Sequence, residues 1–291
     1  MSEVEHIISV QDEVGETPIW IPDEKAMYWV DLEGSAVHRY EPAGGARKDW
    51  ALDVGVTALA RRASGKWLLA TKTGLAFWDQ ETNVSEIIVD PVADIEAMRL
   101  NDTAVDRQGR LVAGTANVQD FDTSDGVIYR LDTDLSLHAI DDGYAISNGM
   151  GFSPDGTILY VTDMFHNRII ALDYDIASGT VSNKRTFVEI PSDTGLPDGL
   201  TVDADGFVWS AHWAGSRVTR YDPDGTIERQ ISVPVTNATS LGFGGAEMNE
   251  LYITTAWFFM NEEERKVQPR AGDVFRVKTD ITGLVEPQFA G

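Results

Sequence analysis

Six short apolar segments recur along this chain at a nearly constant spacing. They are MYWVD ending at Asp31, WLLAT at Thr71, LVAGT at Thr115, LYVTD at Asp163, VWSAH at His212 and LYITT at Thr255. In each segment a large apolar residue is followed two positions later by a smaller one, as with Tyr28 and Val30. This alternation is typical of β-strands, and the small residues are those expected of strands crowded near a central axis.

A repeat of 40 to 49 residues of β-rich sequence predicts a β-propeller. Six repeats fill the chain, so we expect an all-β, six-bladed propeller with four strands per blade and a single domain over residues 1–291. The run His6–Val10 is expected to supply the last strand of the sixth blade, which Asp273–Lys278 otherwise nearly completes. Closure of this kind joins the two termini and removes a free sheet edge. The alternative is a β-sandwich whose strands resemble one another by accident.

A ring of polar residues emerges when the stretches before the six segments are compared. Glu16, Asn101, Asn148 and Asp198 each stand 11 or 12 residues before the large apolar residue of blades one, three, four and five. In blades two and six the same place falls at Val56/Thr57 and Ser240/Leu241, which are weak ligands. We expect these positions to lie in the loops that enter the innermost strands, where they would face one another across the channel.

Oxygen donors that converge in a narrow channel point to a cation. Two carboxylates at close range raise each other's pKa, and buried carboxylates need a partner. A hard divalent ion would meet that need, with Ca²⁺ the best match and Mg²⁺ or Mn²⁺ also suited. Glu16 and Asp198 would neutralise its charge, and Asn148, with Asn101 beside it, would add carbonyl oxygens. Alternatively, each residue taken alone is a turn former or a solvated side chain.

Composition excludes several other functions. With 23 Lys+Arg against 47 Asp+Glu the net charge is −24, which disfavours nucleic-acid binding. The absence of cysteine removes thiol nucleophiles, disulfides and Cys-ligated metals. No 18-residue apolar run and no signal-peptide layout is present, so we expect a cytoplasmic protein that does not enter a membrane. There is no G-x-S-x-G, H-E-x-x-H or Gly-rich phosphate loop, and the five histidines are scattered.

At these motifs the sequence resembles the gluconolactonase/regucalcin family, which includes senescence-marker protein and luciferin-regenerating enzyme. The matching stretches are GETPIWIPDEKAMYWVDLEGSAVHRY, RLNDTAVDRQGRLVAGT, ISNGMGFSPDGTILYVTDMFHNRIIALDYD, LPDGLTVDADGFVWSAHWAGSRVTRYDPDG and FGGAEMNELYITTA. The resemblance implies a six-bladed propeller, with Glu16, Asn148 and Asp198 as the metal ligands. It also implies that Arg99 and Asn101 contact a sugar lactone and that Asp198 accepts the proton.

Three departures from the family's pattern concern the substrate. Leu100 stands where the family usually has Pro between the Arg and the Asn. Where some members place an acidic substrate-binding residue, this chain offers Gln119 or Asp120, and we take Gln119 as the substrate contact. His212 stands where an aliphatic residue is common.

Further along, residues 257–259 (Trp-Phe-Phe) either cover the channel mouth or pack between blades.

The resemblance implies divalent-metal-dependent hydrolysis of a sugar lactone to the aldonic acid. Ca²⁺ is the cation we expect first, with Zn²⁺, Mn²⁺, Mg²⁺ or Fe²⁺ as alternatives. Two other functions stay open, namely a different ester or phosphotriester hydrolase on the same scaffold and a non-catalytic calcium- or ligand-binding propeller. The expected partner is a small sugar lactone, and the expected assembly is a monomer or a weak homo-oligomer.

Overall fold

The computed structural model describes residues 3–291, whose regular elements are almost all β-strands. The strands of its first half are β1 (Glu5–Ile8), β2 (Gly15–Ile21), β3 (Ala26–Asp31), β4 (Ala36–Glu41), β5 (Ala46–Ala51), β6 (Val56–Arg61), β7 (Trp67–Thr71), β8 (Gly74–Asp79), β9 (Val84–Val89), β10 (Met98–Val105), β11 (Leu111–Asn117) and β12 (Gly126–Leu131).

The second half continues the same pattern with one short helix. Its elements are β13 (Leu137–Tyr144), β14 (Ser147–Phe152), β15 (Ile158–Asp163), β16 (Arg168–Tyr174), β17 (Val181–Glu189), β18 (Leu196–Val202), β19 (Val208–Trp213), β20 (Arg217–Tyr221), β21 (Ile227–Ser232), β22 (Ala238–Gly244), β23 (Glu250–Thr255), α1 (Glu262–Val267) and β24 (Val274–Lys278). A single 3₁₀ turn covers Ser192–Thr194.

The strands form six four-stranded antiparallel sheets, which confirms the predicted six-bladed propeller. In the first five blades, four consecutive strands pair in chain order, for example β2-β3-β4-β5. The first strands of the blades, β2, β6, β10, β14, β18 and β22, lie against one another around the axis. They are therefore the innermost strands, and the loops and strand ends at one mouth of the channel can build a site.

The ring closes through the N-terminus, as predicted. The sixth sheet has the order β1-β24-β23-β22, so its outermost strand comes from the start of the chain. His6 pairs with Phe275 in the ladder, and the His6 imidazole lies 2.8 Å from the Asp273 carboxylate. Asp273 also accepts the backbone N–H of Val10 at 3.0 Å. Sheet pairing and side chains thus hold the first and last strands of the described chain together.

The six recurrent segments are second strands, so their expected place nearest the axis was wrong. They correspond to β3, β7, β11, β15, β19 and β23, each of which pairs with the inner strand of its blade. Their large and small residues are buried on both faces because each sheet is packed between two neighbours, and β7 is buried along its whole length. Crowding between blades produces the same alternation as crowding at the axis.

Aromatic side chains fill the wedge between the first two blades. Tyr28 lies 4.5 Å from Trp67, centroid to centroid, and Trp50 meets Trp78 edge-on at 5.4 Å. All four rings are buried. Large rings of this kind contribute much of the apolar burial that holds adjacent sheets together.

Residues 279–291, named here the C-terminal strap, run across the end of the propeller opposite the candidate site. The strap starts at the sixth blade, where the Gly283 N–H donates to the Met248 carbonyl at 2.7 Å. Its far end inserts Phe289, which is fully buried, into the core shared by blades two and three. In between, Leu284 and Glu286 line the lower part of the central channel.

In the described part of the chain, no helix has the length and apolarity that a membrane crossing requires.

Candidate active site

The four predicted ring residues lie on four inner strands and meet at one cavity. Glu16 is on β2, Asn101 on β10, Asn148 on β14 and Asp198 on β18, and all four line the cavity and are buried. They belong to the strands rather than to the entering loops, so the loop placement was wrong. The convergence on one channel position, which the repeat predicted, is what the structure shows.

A β-bulge in each inner strand explains how a strand residue can face the axis. The pairing register shifts in all six inner strands at the same place, between Glu16 and Ile19, Val56 and Ala58, Leu100 and Thr103, Ser147 and Met150, Pro197 and Leu200, and Ala238 and Ser240. A bulge bends its strand and re-aims the side chains next to it. Repetition of one irregularity therefore turns the ring residues into the channel.

Two glycines allow the inner strands to approach closely beside the site. A Cβ on Gly149 would collide with the backbone nitrogen of Leu200, and a Cβ on Gly199 would collide with the Ser240 side chain. Each glycine follows a predicted ligand directly, in the pairs Asn148-Gly149 and Asp198-Gly199. The glycines are thus needed for packing, and Gly149 sets how near the ligand-bearing strands β14 and β18 can come.

The cavity above these residues has a volume of about 480 Å³. This lies within the usual range of small-molecule sites, about 300–1,000 Å³. Its floor carries the ring residues, and its side walls include Leu32, Phe165 and Trp213. A polar, acidic floor beneath apolar walls is the typical layout of a site that orients a small ligand through a few polar contacts.

Three carboxylates are buried near one another, Glu16 and Asp198 at the cavity floor and Asp102 in the channel beneath it. Burial and the nearby charges of Asp198 and Asp102 raise the pKa of Glu16 well above its ordinary value. Burial and Asp102 likewise raise the pKa of Asp198. Asp102, the residue after Asn101, has a pKa raised to about 6, chiefly by burial. The protein alone therefore disfavours the ionised form of all three groups.

This donor set fits a divalent cation. Within residues 3–291, none of the three carboxylates forms an ion pair with a Lys, Arg or His side chain. No three His, Asp or Glu side chains of that range form a ready ligand cluster, so an amide must complete the set. Asn148 carries the carbonyl oxygen that would do so. Buried, unpaired oxygen donors are the environment that a hard cation stabilises; Glu16, Asn148 and Asp198 would hold it.

Arg99 reaches the cavity from β10 and is fixed by residues of two other blades. Its Nη1 lies 3.5 Å from the Glu33 carboxylate, which in turn accepts from Lys72 Nζ at 2.6 Å. The Nε of Arg99 is buried without a partner among the described residues. Burial lowers the pKa of Arg99, which starts so high that the guanidinium stays charged. A charged group with an unpartnered donor thus lines the site.

Asn101 is held across a blade boundary. Its Nδ2 donates to the Ser147 backbone carbonyl at 3.2 Å, which ties β10 to β14.

Gln119 and Asp120 are exposed and do not line the cavity, and their backbone N–H groups both donate to Asn117 Oδ1 at 3.0 Å. The cavity instead meets the neighbouring Val118. The role of Gln119 as a substrate contact stays a prediction.

His212 is buried but does not line the cavity. Neither ring nitrogen has a hydrogen-bond partner among the described residues, and burial next to Arg217 lowers the His212 pKa to about 4. Its counterparts in other blades fasten turns, as Asp31 does by accepting the Val14 N–H at 3.1 Å. His212 is therefore a neutral side chain packed behind the wall that its neighbour Trp213 forms.

Sequence reasoning missed Asp102, Glu33 and three aromatic side chains of the cavity mouth, Phe121, Phe165 and Trp213. Asp102 directly follows Asn101, and Glu33 comes two residues after a recurrent segment, so both stood next to features already found. The Trp257 indole donates to the Gln11 carbonyl at 2.9 Å and lies outside the cavity, whereas Phe258 and Phe259 line it. Of residues 257–259, Phe258 and Phe259 therefore lie at the channel mouth, and Trp257 packs outside it.

Fold and site together define a six-bladed propeller with a buried oxygen-donor pocket at one mouth of its channel. A family model described as the SMP-30/Gluconolactonase/LRE-like region matches residues 14–257. This chain belongs to that family, which confirms the resemblance seen in the sequence.

Known relatives span almost the whole chain. A pentonolactonase of Haloferax volcanii is 36% identical over 293 residues, covering 98% of this chain and 97% of the relative. Regucalcin of Xenopus laevis is 32% identical and covers 99% and 98%. Among solved structures, a calcium-binding regucalcin from Agrobacterium tumefaciens superposes with a TM-score of 0.94 at 26% identity, covering 100% of this chain and 98% of that one.

Proposed function

We propose that this chain is a sugar lactonase that hydrolyses an aldonolactone to the aldonic acid with the help of a divalent cation. The observation that carries the proposal is the cavity floor, where Glu16, Asn148 and Asp198 present buried oxygen donors beside Arg99 and Asn101. The lactonase name of the Haloferax volcanii relative supports the same activity. Ca²⁺ is the cation we propose first, with Zn²⁺, Mn²⁺, Mg²⁺ and Fe²⁺ as alternatives.

The cation, when bound at Glu16, Asn148 and Asp198, would supply Lewis-acid polarisation of the lactone carbonyl. The chain's own residues would perform the proton transfer. Asp198 would accept a proton from the attacking water, because its carboxylate lies at the cavity floor next to the place where the lactone carbonyl would be held. The Asn148 amide, which donates to Asp198, would hold that carboxylate in place.

Arg99 and Asn101 would bind the substrate's oxygen atoms. The free Nε–H of Arg99 points to a role as donor to the carbonyl oxygen as negative charge develops there. Water would add to the carbonyl carbon, the bond from that carbon to the ring oxygen would break, and the proton held by Asp198 would pass to the ring oxygen. The product is a hydroxy acid, which releases one proton at neutral pH.

Gln119 would contact the outer hydroxyl groups of the substrate. It is exposed on the loop that also carries Val118 and Phe121 of the cavity wall. A monomeric or weakly associating state and a cytoplasmic location remain predictions from the sequence.

Proton release from a panel of γ- and δ-aldonolactones would test the function. We expect turnover with the cation present and its loss on addition of a chelator, with recovery when cation is added back. No turnover above the spontaneous rate for any lactone would refute the proposal. Ca²⁺ binding without turnover would instead indicate a non-catalytic binding protein. Turnover of aryl esters or phosphotriesters alone would indicate another hydrolase on this scaffold.

A further inference from the structure

The cavity mouth has two chemically different sides. Its residues come largely from the turns that directly follow the second strands of the blades. Blades one and two contribute Glu33 and Lys72, which are joined by a 2.6 Å ion pair. Blades four and five contribute Phe165 and Trp213 at the corresponding places, and blade six contributes Phe259. One side of the mouth is therefore charged, and the opposite side is aromatic.

The aromatic side is built from two groups of rings, and Phe165 and Trp213, one from each group, pack against the same apolar cluster. Phe165 stacks on Phe121 of blade three, with centroids 4.6 Å apart and planes inclined by 2°. Trp213 meets Phe259 edge-on at 6.4 Å, and Phe259 lies 4.3 Å from Phe258. These five rings, named here the aromatic wall, all line the same cavity.

Phe259 is exposed to an unusual degree for a large apolar side chain. The residue is 76% exposed, and its backbone adopts φ +65°, a conformation that bulky residues rarely take. Exposed aromatic surface at the edge of a cavity is a sign of ligand binding. A ligand that covers this surface displaces water from it, which lowers the free energy of the complex.

Polar groups for binding substrate hydroxyls are few in this cavity. Eleven of its 17 lining residues are apolar, and four of the other six are the ring residues at the floor. The other two are Arg99, which is proposed to donate to the reacting carbonyl, and Glu33, which alone among the lining residues is left for hydroxyl groups farther away. A ligand that extends from the floor toward the aromatic wall would therefore meet carbon rather than hydrogen-bonding partners.

We propose that the cavity takes a second class of substrate, γ- and δ-lactones that carry an alkyl substituent on the ring carbon bonded to the ring oxygen. This inference rests on the proposed lactonase function, because the same carbonyl chemistry opens the ring. Water adds to the acyl carbon, the bond from that carbon to the ring oxygen breaks, and the ring oxygen takes a proton to become a secondary hydroxyl. The alkyl chain lies on the aromatic wall while the carbonyl lies at the floor.

The test compares 4-methyl- and 4-pentyl-γ-butyrolactone, with an aldonolactone as reference, on the full chain loaded with Ca²⁺. Burial of each extra methylene against the wall is expected to raise kcat/KM about fourfold until the wall is covered. Phe259→Ala and Trp213→Ala are expected to lower the pentyl-to-methyl ratio of kcat/KM at least tenfold. Phe259 is largely exposed, so its removal leaves the fold intact. Ile227→Ala, which removes an exposed apolar side chain of β21, is the matched control and should leave the ratio unchanged.

Each outcome decides a different question. If aldonolactones are opened but the pentyl and methyl compounds react equally, the second substrate class is refuted and the lactonase function stands. If the pentyl compound is preferred and both wall variants keep that preference, the aromatic wall is not the binding surface and the proposal fails. If no lactone of either class is opened, the lactonase function itself fails.

Discussion

The amide of Asn148 donates a hydrogen bond to the carboxylate of Asp198 across the boundary between the fourth and fifth blades. The two residues are 50 positions apart in the chain and occupy the same place in consecutive repeats. This contact joins two of the proposed cation ligands before any cation is bound. Asp198 is thus oriented by the neighbouring blade as well as by its own strand.

Asp198→Asn should abolish most of the lactonase activity. The amide is nearly the same shape as the carboxylate but cannot accept the water's proton, and general-base catalysis contributes about 10²–10⁴-fold. We expect kcat to fall within that range in a proton-release assay with saturating cation. The Asp224→Asn variant, which makes the same change at an exposed turn residue outside the cavity lining, is the control for general effects of substitution. An Asp198→Asn enzyme of normal kcat would show that another group is the base.

Glu16→Gln should stabilise the cation-free protein and remove the stabilisation that a cation provides. Burial and the charges of Asp198 and Asp102 disfavour the Glu16 carboxylate, as its raised pKa shows, so a neutral isostere relieves a cost of about 1–3 kcal/mol. In the wild type, Ca²⁺ at one hundred times its Kd should add about 2.7 kcal/mol. Thermal unfolding with chelator and with CaCl₂ measures both effects. An equal rise in Tm with Ca²⁺ in both proteins would contradict Glu16 as a ligand.

His38→Gln should change how stability depends on pH. Burial by itself would lower the His38 pKa, but contacts with Asp12 at 3.1 Å and Asp49 at 2.6 Å outweigh it and raise the pKa above its ordinary value. The stabilisation from protonated His38 is then complete below about pH 6.5, the pKa in the unfolded chain, and is lost as pH rises through the higher folded pKa.

Thermal unfolding of wild type and His38→Gln between pH 5 and 9 checks whether the stabilisation by His38 is lost as the pH rises. The difference in Tm between the two proteins should be largest near pH 5 to 6 and should shrink as the pH rises. A difference that grows with pH would mean that His38 is neutral in the folded protein.

Phe289→Ala should destabilise the propeller without changing its chemistry. The ring is fully buried between blades two and three, and loss of a buried phenylalanine costs about 3–5 kcal/mol. Urea unfolding measures the change, and Ca²⁺ affinity should stay the same because the strap lies at the other end of the channel. Val285→Ala in the same strap is the control, since Val285 is half exposed and its loss should cost little. Equal effects of the two variants would mean that the strap is not anchored at Phe289.

Added NaCl should raise the stability of this chain. Its net charge of −24 produces repulsion within the folded state, and salt screens it as the Debye length falls from about 30 Å at 0.01 M to about 8 Å at 0.15 M. With chelator present throughout, Tm should rise most steeply over that interval. A Tm that does not respond to NaCl would indicate that the acidic groups are already compensated by local ion pairs.

The sequence was sufficient to predict the number of blades, the closure of the ring and the four residues at the channel. These follow from patterns that repeat locally, such as the spacing of Glu16 and Asn148 from their second strands. The order of strands within a blade was not predictable in the same way. A second strand such as β7 is buried on both faces, so its side-chain pattern does not differ from that of a strand at the axis.

Contacts between blades account for most of what the sequence did not predict. Lys72, Glu33 and Arg99 come from three blades and meet only in the folded ring. The bulge that turns Glu16 toward the axis is a backbone irregularity without a residue signature of its own. Phe165 and Trp213 stand directly after recurrent segments, and comparison of those turns would have placed both at the mouth.

The C-terminal strap has a consequence for the order of events during turnover. Leu284 and Glu286 lie in the lower channel, so the cavity is open to solvent at its aromatic mouth and obstructed beneath its floor. In the proposed reaction the hydroxy acid would therefore depart by the route through which the next lactone arrives. Departing and arriving molecules exclude one another there, so accumulated product is expected to inhibit the reaction by competing with the lactone.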